Sequence, residues 1–258
     1  MNTLSSTILT IGAFPLNALA GTVDLFFCIP IFGRLTKWGW NFLITIAHLP
    51  FGLIEWAIMG KKPEKKLRLA VVLFADGPNN PIVDKQEVID QLKRMKTLYK
   101  EKANIKVKSA KGDTSEEPSE DWITIYEKPA SSKMLNVGCN EFAFGQDLWL
   151  TGMMFQFTAL TRLFYTNFLR IIGYASPIVV YIVEDIKNYN GCSIGFLTDY
   201  VTIDCKGVIS IPHEVGHACN LFHVEDEENL MHKRGSEKNK LTDKQAATMR
   251  ASRHVTFL

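Results

Sequence analysis

The chain has no CxxC pair, and its five cysteines, Cys28, Cys139, Cys192, Cys205 and Cys219, are scattered and odd in number. That pattern speaks against a disulfide framework and for reduced thiols in a cytosolic setting. No long basic stripe with interleaved aromatics occurs, and the net charge is only +2. Nucleic acid is therefore not an expected partner. Charge is scarce at the start: residues 1–60 hold only Asp24, Arg34, Lys37 and Glu55. No Lys or Arg precedes the first apolar block, so the positively charged start of a cleaved signal peptide is missing.

Two apolar blocks fill that charge-poor region, Ile8 to Phe32 and Trp38 to Met59. Each is long enough to cross about 30 Å of hydrocarbon as a helix. Pro15, Asp24 and Pro30 interrupt the first; His48, Pro50 and Glu55 interrupt the second. A kinked helical hairpin over residues 1–60 fits, and so does a re-entrant or interfacial element. His48 and Glu55, if inside a bilayer, must face protein or water. Lys61, Lys62, Lys65, Lys66 and Arg68 follow directly as a basic linker over 61–68. The positive-inside bias places residues 61–258 on the cytoplasmic side, and the same lysines suit anionic headgroups.

The remainder, 69–258, alternates elements. Leu67 to Asp76 is a continuous apolar run of strand length. Asp84 to Lys102 repeats apolar residues at Val88, Leu92, Met95 and Leu98, which predicts a helix with Asp84 as its N-cap. "NIKVKSA", "WITIYE" and "PIVVYIVED" read as strands. "CSIGFLTDYVTID", Cys192 to Asp204, reads as one further strand with a bulge at Gly195. Asp147 to Ala175 is a third apolar stretch, read as a helix on the core or on the membrane surface.

The chemistry concentrates in "HEVGHACNLFH", His213 to His223. Helical residues four apart share a face, so His213 and His217 project side by side and both rings can reach one zinc ion. Glu214 is one step round, placed to accept a proton from a zinc-bound water rather than to ligate. A catalytic zinc needs a third protein ligand. His223 lies six residues past His217, too far to share the face, so the chain must stop and turn. Asn220 stands where the turn is needed, and Asn is second only to Gly in tolerating positive φ. The expected ligand set is His213, His217 and His223.

This spacing resembles the HExxHxxGxxH pattern of metzincin zinc metallopeptidases, with Asn220 in place of the Gly. The resemblance implies a Met-turn beneath the metal, for which Met231 in "ENLMHKRG" stands in the right order, and a closing helix over Leu241 to Arg253 capped by Thr242. It implies an α+β domain: a mixed twisted sheet, an active-site helix and a C-terminal helix, here preceded by the hydrophobic hairpin. It also implies one catalytic Zn2+, Glu214 as general base, and an edge strand within "SIGFLTDYVTI" that pairs with an extended peptide or protein substrate. Many relatives carry a Tyr two residues past the Met; here that position is Lys233. The resemblance is specific only over 213–231. The expectation is a membrane-associated metalloendopeptidase, with a membrane-anchored zinc-binding regulatory or interaction protein without turnover as the alternative.

Overall fold

A computed structural model describes residues 33–75, 80–111, 115–127, 136–137, 177–186, 188–193 and 195–257. The first apolar block, Cys28, Cys139 and the stretch from Asp147 to Ala175 lie outside these residues.

The sheet is organised around one long strand, β1 (Lys65–Ala75). Its apolar run has no polar face, as a strand covered on both sides requires. Leu67, Leu69, Val71 and Leu73 enter one buried cluster, and Ala70, Val72 and Phe74 enter another on the opposite face. Each flank of β1 holds two shorter strands end to end. On one side β2 (Ile105–Ser109) pairs with its first half and β3 (Ile123–Glu127) with its second, both parallel. On the other, β9 (Val255–Thr256) is antiparallel at Lys66 and Leu67, and β5 (Ile178–Val183) is parallel from Leu69. Beyond β5 come β8 (Tyr200–Asp204), parallel, and the antiparallel edge strand β7 (Gly191–Cys192). A separate two-stranded ladder joins β4 (Asn136–Val137) and β6 (Asp185–Ile186). The result is a mixed α+β fold.

Helix α2 (Lys85–Ala103) follows the expected pattern: the Asp84 side chain accepts from the Gln86 amide, and Val88, Leu92, Met95 and Leu98 are buried. Its Tyr99 hydroxyl donates to the Pro212 carbonyl at 2.6 Å, tying α2 to the start of α3 (Ile211–Ala218). Helix α4 (Asp243–Arg250) has a full capping box between Thr242 and Gln245.

Three local readings change. Cys192 to Asp204 is two short strands separated by a 3-10 turn, Gly195–Leu197, because Gly195 takes φ +62° and ends the extended run. Cys192 is disulfide-bonded, whereas Cys205 and Cys219 are free thiols. The third concerns the N-terminal region. Its described part is a single helix, α1 (Gly33–Met59), which runs through Pro50 and begins between the two apolar blocks. Residues Asn41–Met59 are long and apolar enough to cross a membrane by length and composition.

Helix α1 is docked on the domain by its few polar and small residues. Asn41 Nδ2 donates to the Leu197 carbonyl at 2.8 Å, and Gly52 sits so close to α4 that a Cβ there would lie 2.3 Å from that of Ala251. Glu55 is 4% exposed and bridges Lys65 Nζ at 2.5 Å and Arg250 Nη2 at 2.9 Å. Lys65 also donates to the Arg250 carbonyl, and Arg250 to those of Ala103 and Pro63. Lys65, Lys66 and Arg68 of the basic cluster thus belong to β1, and burial lowers the Lys65 pKa while Glu55 raises it.

Candidate metal centre

Helix α3 begins after the 3-10 turn Val208–Ser210, with Pro212 in its first turn. Pro there is pre-set for helix and forfeits no bond. The helix ends after only eight residues, and Asn220 takes φ +71°. The Leu221 amide then donates to the Gly216 carbonyl, closing the turn that brings His223 back over the helix. The three Nε2 atoms converge, at 3.1 Å for His213–His217, 3.2 Å for His217–His223 and 3.3 Å for His213–His223.

These separations fit a metal ion. Tetrahedral zinc with Zn–N of about 2.0–2.1 Å holds its ligand nitrogens about 3.3 Å apart. The tautomers fit as well. His213 Nδ1 lies 2.6 Å from the Leu230 carbonyl and His217 Nδ1 2.8 Å from that of Leu221. A carbonyl only accepts, so Nδ1 carries the proton in both rings and Nε2 turns a lone pair inward, the usual second-sphere arrangement of ligating histidines. The inward lone pairs of His213 and His217, 3.1 Å apart, repel one another unless a cation or a proton from the His223 ring lies between them. Burial lowers the pKa of all three rings, that of His217 to about 4, which favours the neutral form that binds metal.

The triad lines a cleft of about 640 Å³ together with Glu214, Gly191 of the edge strand, Lys233 and Arg234. Glu214 is 7% exposed, and burial pushes its carboxyl up to about 8. It packs under β7 so tightly that a Cβ on Gly191 would lie 2.6 Å from its Cγ and 2.9 Å from Oε1. Gly191 is therefore part of the site, and nothing in a single sequence singles it out. Met231 is fully buried below α3, where a Cβ on Gly216 would approach its Sδ to 2.8 Å. Its turn is anchored by the Asn229 side chain, which accepts from the Met231 amide and exchanges two amide bonds with Gln245 of α4. Sequence alone does not single out Arg94 of α2 either, which donates to the carbonyls of Ser236 and Lys238 and so holds the loop forming one cleft wall.

Asn220 is 6% exposed, and neither end of its amide has a hydrogen-bond partner. Each buried unpaired polar group costs about 1–3 kcal/mol, and glycine accepts the positive φ without strain. Asn220→Gly should therefore retain metal and raise stability by about 1 kcal/mol after glycine's extra chain entropy is subtracted. A denaturant midpoint that falls on this substitution would refute the assignment of that amide as unpaired.

Comparison with protein-family models gives no match, and comparison with curated proteins gives none either.

Proposed function

We propose that this is a membrane-associated zinc protein whose His213, His217 and His223 hold one Zn2+, and that it hydrolyses peptide bonds with Glu214 as general base. The convergence of the three Nε2 atoms to 3.1–3.3 Å, with two Nδ1 protons already committed to carbonyls, carries the metal assignment. Zinc in such a site polarises a substrate carbonyl and acidifies water. The chain's own residues support the hydrolytic step. Glu214 lines the same cleft as the triad without being a member of it, so its carboxylate is available to take a proton from the attacking water and pass it to the leaving amine. Gly191–Cys192 is the edge of the sheet at that cleft, and no described strand pairs with its outer side. An extended peptide can add there through main-chain bonds. The sheet order β2-β1-β5-β8-β7, the Met231 turn and α4 support the metzincin-like reading of residues 69–258.

The second reading, a zinc-binding anchor or interaction protein without turnover, is favoured by the position two residues past Met231. Lys233 stands there, so the additional Tyr of many metzincins has no counterpart. The cytoplasmic placement expected from the basic flank meets a contrary sign in the Cys192 disulfide, since such bonds persist mainly in oxidising compartments.

Zinc removal tests both readings. At free zinc about 100-fold above Kd, the bound state gains about 2.7 kcal/mol. For a chain of this size that raises Tm by about 5–10 °C over the chelated protein. Cleavage of a peptide library should vanish on chelation and return with zinc. Zinc stabilisation without cleavage would favour the second reading, and no stabilisation would overturn both.

A further inference from the structure

Helix α1 is apolar enough to cross a bilayer, yet it is not free to do so. Its contacts with the domain run from Asn41, at the turn following the edge strand, to Gly52 and Glu55, at α4. Those 15 residues span about 21 Å of helix, most of the hydrocarbon thickness. If α1 crossed, the domain surface carrying Leu197, Ala251 and Arg250 would have to enter hydrocarbon with it. So would the exposed Asp243 and Lys244 at the start of α4, where Asp243 pairs with Lys61 just past α1.

The two faces of α1 differ in kind. Asn41, Ile44, Thr45, Gly52 and Glu55 form one buried stripe at 3.6-residue spacing, facing the domain. The opposite arc exposes Leu43 (59%), Ile46 (51%), Ile54 (54%) and Ile58 (72%), flanked by Phe42 and Phe51. No charged side chain lies between Lys37 and Lys61 except Glu55, which is buried against the domain. Lys61 and Lys62 follow at the helix end, both exposed.

We infer that α1 lies in the plane of a lipid surface, its outward arc sunk into the headgroup and acyl boundary, with the domain resting on the same leaflet. This rests on the membrane-associated part of the reading above and not on peptide hydrolysis. The partner is a bilayer with anionic headgroups, which the exposed Lys62 just past the helix end complements. The basic flank then reports headgroup contact and carries no information on topology.

The test uses the full chain with a fluorescent amino acid encoded at Leu43, Ile46, Ile54 or Ile58. Each form is bound to vesicles of mixed phosphatidylcholine and phosphatidylserine, whose anionic headgroups attract basic segments, and quenched by lipids spin-labelled at known depths. In-plane binding gives all four positions one shallow depth, agreeing to about 5 Å. A progressive change of depth along the helix, with the middle positions at the bilayer centre, would overturn it. So would absence of quenching with self-association on light scattering, which would make a second copy of the chain the occupant. The double variant Ile46→Glu, Ile54→Glu, on exposed sites that packing does not need, should keep the far-UV spectrum and zinc content and lose at least 10-fold in vesicle flotation. Retained flotation would contradict the proposal, and zinc content in the same samples reports separately on the metal site.

Discussion

Glu214→Gln should lower peptide hydrolysis by about 10²–10⁴-fold, the usual contribution of a positioned general base, while zinc content and Tm change little. The substitution keeps the shape of the side chain, and shape matters because Gly191 presses on it. It removes only the ability to take a proton. Glu214 is 7% exposed and its carboxyl is pushed up to about 8 by burial, whereas a cation among the adjacent imidazoles would favour its ionised form. A base with its pKa drawn toward neutrality by opposed influences suits proton transfer near pH 7. The check is kcat/KM on the best library peptide, with metal analysis of the same sample. Unchanged hydrolysis would remove Glu214 from the chemistry, and a cellular role that survives the substitution would favour the reading without turnover.

The second large effect is on folding. Glu55→Ala strands Lys65 and Arg250, which are 5% and 1% exposed, without their shared carboxylate. Breaking a buried ion pair from one side costs about 3–5 kcal/mol, or a Tm lowered by roughly 6–20 °C at this chain length. Lys65→Met should cost less, because Glu55 keeps Arg250 and the methionine stem fills much of the same space. The double variant should be less destabilised than the sum of the two singles, since Lys65→Met removes one of the charges that Glu55→Ala strands. Salt should hardly alter these differences, because the group is shielded from solvent. A loss under about 1 kcal/mol for Glu55→Ala would mean that α1 is not seated as described.

That network shows how far the sequence could be read. A lone carboxylate in an apolar helix announces a need for a partner, but the partner is Lys65, in a run that reads as a basic linker, and Arg250, 195 residues away. Only the three-dimensional pairing distinguishes Lys65 from Lys61. The strands β1, β2, β3 and β5 and helix α2 were legible because each satisfies a local rule, an apolar or alternating run or a capped helical repeat, whereas α4 was expected from the metzincin resemblance with Thr242 as its cap. The stretch from Cys192 to Asp204 misled because its apolar residues mimic one strand, while a single glycine at φ +62° divides it.

The His triad was legible for a similar reason. Two of the histidines share a helical face by spacing alone, and Asn220 marks the turn that returns the third. What spacing could not supply are the supports: the Leu230 and Leu221 carbonyls that hold the imidazole protons, Gly191 against Glu214, and Arg94 behind the cleft wall. These are long-range contacts of backbone groups and common residue types, and one sequence carries no mark of them.

Whether His213, His217 and His223 hold one zinc ion is measured directly by X-ray absorption at the zinc edge of the purified full chain. The expected result is one zinc per chain with three imidazole nitrogens at about 2.0 Å and a single further light ligand. A metal-free protein, or zinc with fewer than three imidazoles, would contradict it.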